Sequence, residues 1–485
     1  MSEDALIALA YESHIQGDLQ NAKKYYEEFL KLFPCNPQAM NNLATIYQSQ
    51  GDLARAQKLY EEALTCKPDY KDAVQNLAVL CKKQNDLIGA KHYFEQLLQL
   101  DSLNLLALNN LTLFYKLGNE YKRAKECALS VLKIDPDNVD ALNNLGVLCK
   151  EEHDLKRAKE CYEKALSLDP NSVETLLNLS LLYLLQKDYL KGFDLYRNRY
   201  KKFDLYTNKE LLKDKKLITY LDELEGKKVL VCFEQGFGDA IQFIRFLPQL
   251  TCLNAEFSYF VPTELLKLFQ YNFSDISFVQ EDAIDEFEYF IPILDATYLL
   301  GIEYEKIPLS SGFLHVKQED VENFKKSHLE KSEKAKIGFA FQGSLLHHND
   351  ANRSIRLRDF LEGFSNLAES VELYSLQYGA TQEEQKILKE QGIVDLGEKI
   401  KDFYDTAVIV ESMNAVISID SSLLHVSGAL GKRAYLMLPF APDWRWGVEG
   451  MTTKWYDSVK IYRQNEAGAW KEPFAQITKD ITDEF

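Results

Sequence analysis

The chain has 485 residues, 46% hydrophobic and 12% aromatic, too long for one compact core and too apolar for disorder. Its 74 acidic and 56 basic residues give a net charge of −18, which excludes a general affinity for nucleic acid or anionic membrane. No apolar run approaches the roughly 18 residues that span a bilayer.

The opening MSEDALIALAYE lacks the basic-then-apolar order of a signal peptide, so a cytoplasmic chain without a membrane span is expected. The eight cysteines, at 35, 66, 81, 127, 149, 161, 232 and 252, contain no C-x-x-C. They are expected to be small buried thiols in a reducing compartment.

From the N-terminus the chain repeats itself. Prolines at 34, 68, 136 and 170 lie on a 34-residue register whose missing member is Ser102. Twelve residues before each register position stand Ala22, Ala56, Ala90, Ala124 and Ala158. Leucine recurs as Leu9, Leu43, Leu77, Leu111, Leu145 and Leu179, and an aromatic as Tyr26, Tyr60, Phe94, Tyr162 and Tyr196, with Ala128 the exception. Gly or Asn followed by an acid recurs as Gly17-Asp18, Gly51-Asp52, Asn85-Asp86 and Asn119-Glu120. In a stack of helix hairpins, alanine sits where two helices cross closely, Leu and the aromatic fill the seam, and proline ends the second helix. These residues resemble the tetratricopeptide repeat. Five units are clear, and a sixth, 172–205, is degenerate with Gly192 in the alanine slot; the repeats are predicted over residues 1–205.

Asn42, Asn76, Asn110, Asn144 and Asn178 recur just before the leucine, although asparagine forms helix poorly and adds nothing to an apolar seam. On an inner helix face, such amides would bind the backbone of an extended acceptor peptide. The alternative is that they only tie neighbouring helices together. The ladder is similar to that of the protein-modifying O-GlcNAc transferases. Oligomeric state stays open, a homo-oligomer included.

Past residue 220 the pattern changes to short apolar strands alternating with helices, the signature of parallel sheets. A linker is expected at 206–225, a first Rossmann-like lobe at 226–325 and a second at 326–485. Strands are predicted around 229–233, 255–261, 276–279 and 289–293, then 336–343, 371–379, 393–397, 414–420 and 433–439. The charged stretch 317–334 crosses between the lobes.

Three polar clusters fall at strand ends, where ligands of such sheets bind. The first is Gly236-Phe-Gly238-Asp239. Ile241 replaces the third glycine of a dinucleotide fingerprint and no acid ends the second strand, so hydride transfer is not expected. Asp239 is either a functional carboxylate or a plain helix cap. The second runs from Gln342-Gly343-Ser344 through His347, His348 and Asn349 to Arg353-Ser354. Its histidines lack ligand spacing, so no metal is expected, whereas Arg353 has the planar fork that suits a phosphate. The third is Asp420-Ser421-Ser422-Leu-Leu-His425, a strand end opening a helix whose first amides suit a diphosphate. Its bland reading is a strand-end acid followed by a serine cap. Trp444 and Trp446 in DWRWG either stack on a ligand or pack.

In this order, EQGFGDAIQFIRFLP, FQGSLLHHNDANRSI, LYSLQYG, IDSSLLHVSGALGK, LPFAPDWRWG and KWYDSVKIYRQ resemble the heptosyltransferase-like branch of GT-B glycosyltransferases, in the form fused to bacterial tetratricopeptide repeats. The resemblance spans about 227–475. It implies a two-lobed GT-B fold with Asp239 as catalytic base. It also implies a nucleotide-sugar donor held by Gly236, Gly238, Gln342, Gly343, Asn349, Arg353, Ser354, Gln377, Asp420, Ser421, Ser422 and His425. The family's usual Asp-Thr is Asp420-Ser421 here, which keeps the hydroxyl. The implied reaction is an inverting, cofactor-free and metal-independent sugar transfer, with the nucleotide-sugar as substrate and a protein acceptor held by the repeats. Two alternatives stay open: a lipopolysaccharide or other glycan acceptor, or a non-catalytic peptide-binding scaffold.

Overall fold

Each second helix of a repeat begins on the acid that follows the turn. In the computed structural model, which describes residues 3–201, 212–329, 331–344, 349–367 and 370–485, ten helices form five hairpins. They are α1 (Glu3–Ile15) and α2 (Leu19–Leu32), α3 (Pro37–Ser49) and α4 (Leu53–Cys66), α5 (Lys71–Lys83) and α6 (Leu87–Leu100), α7 (Leu105–Leu117) and α8 (Tyr121–Ile134), and α9 (Val139–Glu151) and α10 (Leu155–Leu168). Asp18, Asp52, Asp86 and Asp154 each accept a backbone N–H three residues on, at 2.9–3.2 Å, capping the helix they precede. The residue before each cap is left-handed: Gly17, Gly51, Asn85, Asn119 and His153 have φ between 58° and 82°. The recurring Gly and Asn therefore answer a backbone requirement.

The five register alanines are fully buried, as are Tyr26, Tyr60, Phe94 and Tyr162. Leu43, Leu77, Leu111, Leu145 and Leu179 are buried too, whereas Leu9 stays exposed. The cysteine expectation needs correction at three positions. Cys35 and Cys66 are joined in a disulfide, and Cys252 is exposed; Cys81, Cys127, Cys149, Cys161 and Cys232 are buried thiols. Cys35 and Cys66 lie just past the C-terminal ends of α2 and at that of α4, and this positions them to meet.

The chain divides into two compact units, Met1–Thr175 and Leu176–Phe485. The division falls inside α11 (Val173–Leu185), not at the predicted residue 205. The reason is α12 (Tyr189–Tyr196), whose Tyr189 and Phe193 are buried among aromatics of the α/β region. Tyr189 lies 5.7 Å from Trp444 and 6.0 Å from Trp455, and Phe193 lies 5.6 Å from Trp444. The predicted linker is corrected as well. Residues 206–211 lie outside the described residues, but β1 (Lys216–Leu217) is a strand of the first sheet, pairing with β5 (Tyr289–Pro292).

The second unit holds two all-parallel sheets. The first has the order β1-β5-β2-β3-β4, with β2 Lys228–Cys232, β3 Glu256–Phe260 and β4 Ser277–Val279. The second has the order β11-β10-β9-β6-β7-β8, with β6 Lys336–Ala340, β7 Glu372–Ser375, β8 Val394–Asp395, β9 Ala415–Ile419, β10 Ala434–Leu438 and β11 Val459–Arg463. β11 was not predicted as a strand. β9 and β10 are buried throughout, which explains their apolar runs, interrupted only by Ser418. The charged crossing contains the helix Gln318–His328, and the terminal helix Lys471–Glu484 packs Phe474, Ile477 and Ile481 into the core of the second sheet.

Candidate functional site

The chain leaves β2 through Phe233-Glu234-Gln235-Gly236 and enters the helix Phe237–Phe243. Gln235 is left-handed, with φ 62°, a conformation that costs a side-chain-bearing residue about 1 kcal/mol or more. Two neighbours hold it there. The Gln235 amide donates to the Tyr196 hydroxyl at 2.7 Å. Glu234, 2% exposed, receives Arg199 Nε at 3.0 Å and Nη2 at 2.8 Å, and also the backbone N–H of Leu294 at 3.2 Å. The same Arg199 Nη2 donates to Asp295 Oδ1 at 2.7 Å, just past β5. This buried triad ties the end of α12 to the tips of β2 and β5.

Gly236 precedes the helix, and its N–H donates to Asp239 Oδ2 at 3.1 Å. Asp239 is therefore not the capping residue, which is Gly236, but the third residue of the helix, one of whose oxygens holds the N–H of that cap. The other oxygen, Oδ1, takes a hydrogen bond from Arg445 Nη2, and the Asp239 side chain remains 16% exposed. Burial pushes the Asp239 carboxyl above its usual range, and Arg445 pulls it back down. Gly238 lies face-on to the second lobe. A Cβ there would sit 2.7 Å from His425 Cδ2, so only glycine admits this approach.

On the second lobe, β9 ends at Asp420 and the helix Ser422–Ala429 begins. Ser421 occupies the cap position, but its hydroxyl pairs with that of Ser418 at 3.0 Å and not with the helix. Burial, then the Asp443 charge, raises the Asp420 carboxyl to about 6. His425 is buried; its Nδ1 meets the Tyr456 hydroxyl at 3.0 Å, and Nε2 lies 3.9 Å from Asp420 Oδ1. Burial, then Arg445, lowers His425 to about 3, so it is neutral at physiological pH.

The loop after β6 comes to the same place, but its groups hold one another. Gln377 accepts the N–H of Phe341 at 3.3 Å and of Gln342 at 3.1 Å. The Ser354 hydroxyl receives Gly343 N–H at 3.0 Å and donates to Asp350 at 2.8 Å. Asn349 accepts from Asn352 Nδ2 at 2.7 Å. Arg353, expected to grip a phosphate, donates Nη1 to the Asp420 carbonyl at 2.8 Å and lies against Gly343. Its fork thus braces the end of β9. His347 and His348 lie outside the described residues. Among the described residues, no group of three or more His, Cys, Asp or Glu side chains could hold a metal ion.

The structure brings Asp239, Gly238, Asp420 and His425 together. Ser421 and Ser422 begin the same helix as His425, and Arg353 and Gly343 reach it through the Asp420 carbonyl. Trp444 and Trp446 are buried, Trp446 stacking on His425 at 5.7 Å, so they pack. Sequence reasoning missed the residue at the centre, Arg445. Its Nε donates to Gln242 Oε1 at 2.7 Å, Nη1 to Asp443 at 2.8 Å and Nη2 to Asp239. It also missed Arg199, Asp295 and the buried Arg245, which donates Nη1 to the Trp455 carbonyl at 2.7 Å. The signal was the charged residue inside DWRWG, overshadowed by its tryptophans.

The asparagine ladder is used mostly between helices. Asn42 donates to the Tyr26 hydroxyl at 3.1 Å and Asn76 to Asn41 Oδ1 at 2.9 Å. Asn110 donates to the Leu106 carbonyl at 2.8 Å and accepts from Lys82 at 2.6 Å. Asn144 and Asn178 are half-buried, the latter in the second unit. Among the described residues, no helix is long and apolar enough to cross a membrane.

Tetratricopeptide repeat family profiles match residues 14–81, 139–172 and 161–192. Protein FlbA of Caulobacter vibrioides is 26% identical over 288 residues, covering 54% of this chain and 47% of its own length. The chain thus spans about half the length of the curated relative it matches. Among solved structures, YrrB, described as a tetratricopeptide protein with an unusual peptide-binding site, is 20% identical with a TM-score of 0.33 over 35% of this chain and 88% of its own. A tetratricopeptide protein from Parabacteroides merdae is 19% identical with a TM-score of 0.35, over 43% of this chain and 90% of its own. Tetratricopeptide superhelices commonly bind peptides or proteins. The N-terminal part of this chain is a superhelix of tetratricopeptide repeats, followed by an α/β region of two parallel sheets.

Proposed function

We propose that the α/β region is an inverting, metal-independent glycosyltransferase of the GT-B type, and that the repeats hold a protein acceptor. The observation that carries this reading is the approach of Gly238 to His425. It apposes the Asp239 turn of one parallel sheet to the Asp420–Ser422 helix start of the other, both at carboxyl ends of strands, where ligands of such sheets bind. The ordered resemblance of six sequence stretches supports the same reading.

In the proposed reaction an acceptor oxygen bonds to the anomeric carbon of a nucleotide-diphosphate sugar, and its proton passes to Asp239. The bond from that carbon to the diphosphate oxygen breaks, and its electron pair leaves with the diphosphate. The amides opening the helix Ser422–Ala429, with Arg353 braced beside them, offset the charge that grows there. Attack opposite the leaving group inverts the anomeric carbon. The partners are therefore a nucleotide-sugar and an acceptor protein, and the compartment expected is the cytoplasm.

A thermal-shift panel of nucleotide-sugars tests the reading. A true donor at 100 times its Kd adds about 2.7 kcal/mol to stability. Asp239→Asn should keep that shift and lose sugar transfer by at least about 100-fold. No shift with any nucleotide-sugar, or full transfer by the variant, would remove the base assignment, and the first outcome would favour a peptide-binding scaffold.

A further inference from the structure

We propose that Arg445 is a positioning residue for Asp239, holding from the second lobe the carboxylate that the first lobe supplies. The inference rests on reading Asp239 as the base and adds to it the group that sets its orientation and charge.

Arg445 lies 206 residues beyond Asp239, yet its guanidinium is held on several sides. Nε is fixed by Gln242 Oε1 at 2.7 Å, on the same helix as Asp239, and Nη1 by Asp443 Oδ1 at 2.8 Å. The plane lies 4.4 Å from the Trp444 ring centroid. Asp443 in turn receives the backbone N–H of Arg445 at 3.0 Å, so the turn that carries the arginine is itself closed. Arg445 is 8% exposed, and a guanidinium this buried, with a partner on each of its three nitrogens, has one orientation. With Gly236 N–H on Oδ2 and Arg445 on Oδ1, the rotamer of Asp239 is set from both lobes.

The charges around Asp239 show why it needs this partner. Burial first, and then Asp443 and Glu234, push its carboxyl toward protonation; Arg445 is the cation that opposes them, helped by the Gly236 N–H. Tyr259 and Tyr456 lie nearby as neutral hydroxyls, and His425, neutral, faces Gly238. Asp420 shares the field of Arg445. Without Arg445, an acidic cluster would surround a carboxyl that has to be ionised to accept a proton.

The test uses the full chain labelled with 13Cγ-aspartate, the Asp239 resonance being assigned by its loss in Asp239→Asn. Arg445→Gln should raise the Asp239 titration midpoint, corresponding to at least about tenfold tighter proton binding. The acidic limb of the transfer rate should move up by the same amount, measured with the nucleotide-sugar giving the largest thermal shift. Arg445→Lys should restore part of both. An unchanged Asp239 midpoint in Arg445→Gln, in protein that melts cooperatively, overturns the proposal. If Asp239→Asn instead retains the acidic limb, the base reading fails while the titration still decides whether Arg445 controls this carboxyl.

Discussion

His425 concentrates the physical chemistry of the site in one ring. Its pKa falls to about 3 from 6.5, because burial and then Arg445 disfavour the charged form. The unfolded chain takes up a proton near pH 6.5 and the folded chain does not, so this residue's contribution to stability is full above pH 6.5 and is lost as pH falls toward 3. Asp420 has the opposite sign. Its pKa, raised to about 6, lets the folded chain hold a proton that the unfolded chain has released, so it destabilises as pH rises from about 4 to 6. The two partly cancel between pH 4 and 6. Replacing His425 by Gln should therefore leave the Asp420 trend exposed: relative to the parent, the variant gains stability on going from pH 7 to 4.5. Urea midpoints at the two pH values measure it, and a parallel pH dependence in both proteins would refute it.

Gly238 was legible as a turn glycine, but the reason it is glycine was not. Its hydrogen stands against His425, 187 residues away, and a sequence does not state which ring will arrive there. Gly146 is similar. A Cβ there would lie 2.5 Å from the Tyr162 ring, although Ala10 and Ala44 hold the same register position in repeats that carry Tyr26 and Tyr60, so the closer approach belongs to this repeat alone.

At the scale of elements, the repeats carry a second period that the 34-residue register conceals. Tyr47 donates its hydroxyl to Glu27 at 2.8 Å beneath Lys23, and Tyr115 donates to Glu95 at 2.7 Å beneath Lys91. Arg55 and Arg123 complete the two cages, at 5.4 and 4.0 Å from the rings. The slots between and after them hold the buried Cys81 and Cys149. Half-exposed cations over tyrosine are worth about 0.5–1 kcal/mol each.

The last element of the repeats has changed its allegiance. α12 keeps the register of a repeat helix, and its Gly192 slot lies so close to Leu184 that a Cβ would meet it at 2.5 Å. Yet the buried Arg199, in the 3-10 turn Arg197–Lys201 that follows it, serves the α/β region. Replacing Arg199 by Met would leave Glu234 buried without its cation and Asp295 with only Arg197, 3.8 Å away, a loss of roughly 3–5 kcal/mol. The Gln235 turn would also relax, and denaturant unfolding of the full chain would read the loss. A change below 1 kcal/mol would mean the triad is hydrated and unimportant.

At the scale of the whole molecule, the sequence boundary and the packing boundary are about thirty residues apart. A chain beginning at residue 176 retains α12, Tyr196 and Arg199 and should unfold in one cooperative transition. A chain beginning at residue 206, where the repeat pattern predicts the break, lacks all three and should be insoluble or unfold without cooperativity. Circular dichroism melts of the two truncations separate these outcomes, and equal behaviour would show that α12 is dispensable.

The sequence by itself determined the elements whose causes are local. Left-handed turns select Gly and Asn, helix starts select Asp, and a 34-residue period of alanine and aromatics specifies stacked hairpins. Nine of the strands were legible as short apolar runs bounded by polar loops, and the polar clusters at their ends marked the candidate site. The two-residue β1 and the alternating β11 were not, because neither presents an unbroken apolar run. What only the tertiary structure decided are pairings across long separations: Arg445 with Asp239, Arg199 with Glu234 and Asp295, and the cysteine pair 35 and 66. In each, one side chain's role is set by a group that chain entropy keeps distant until packing brings it near, and no local pattern encodes that meeting.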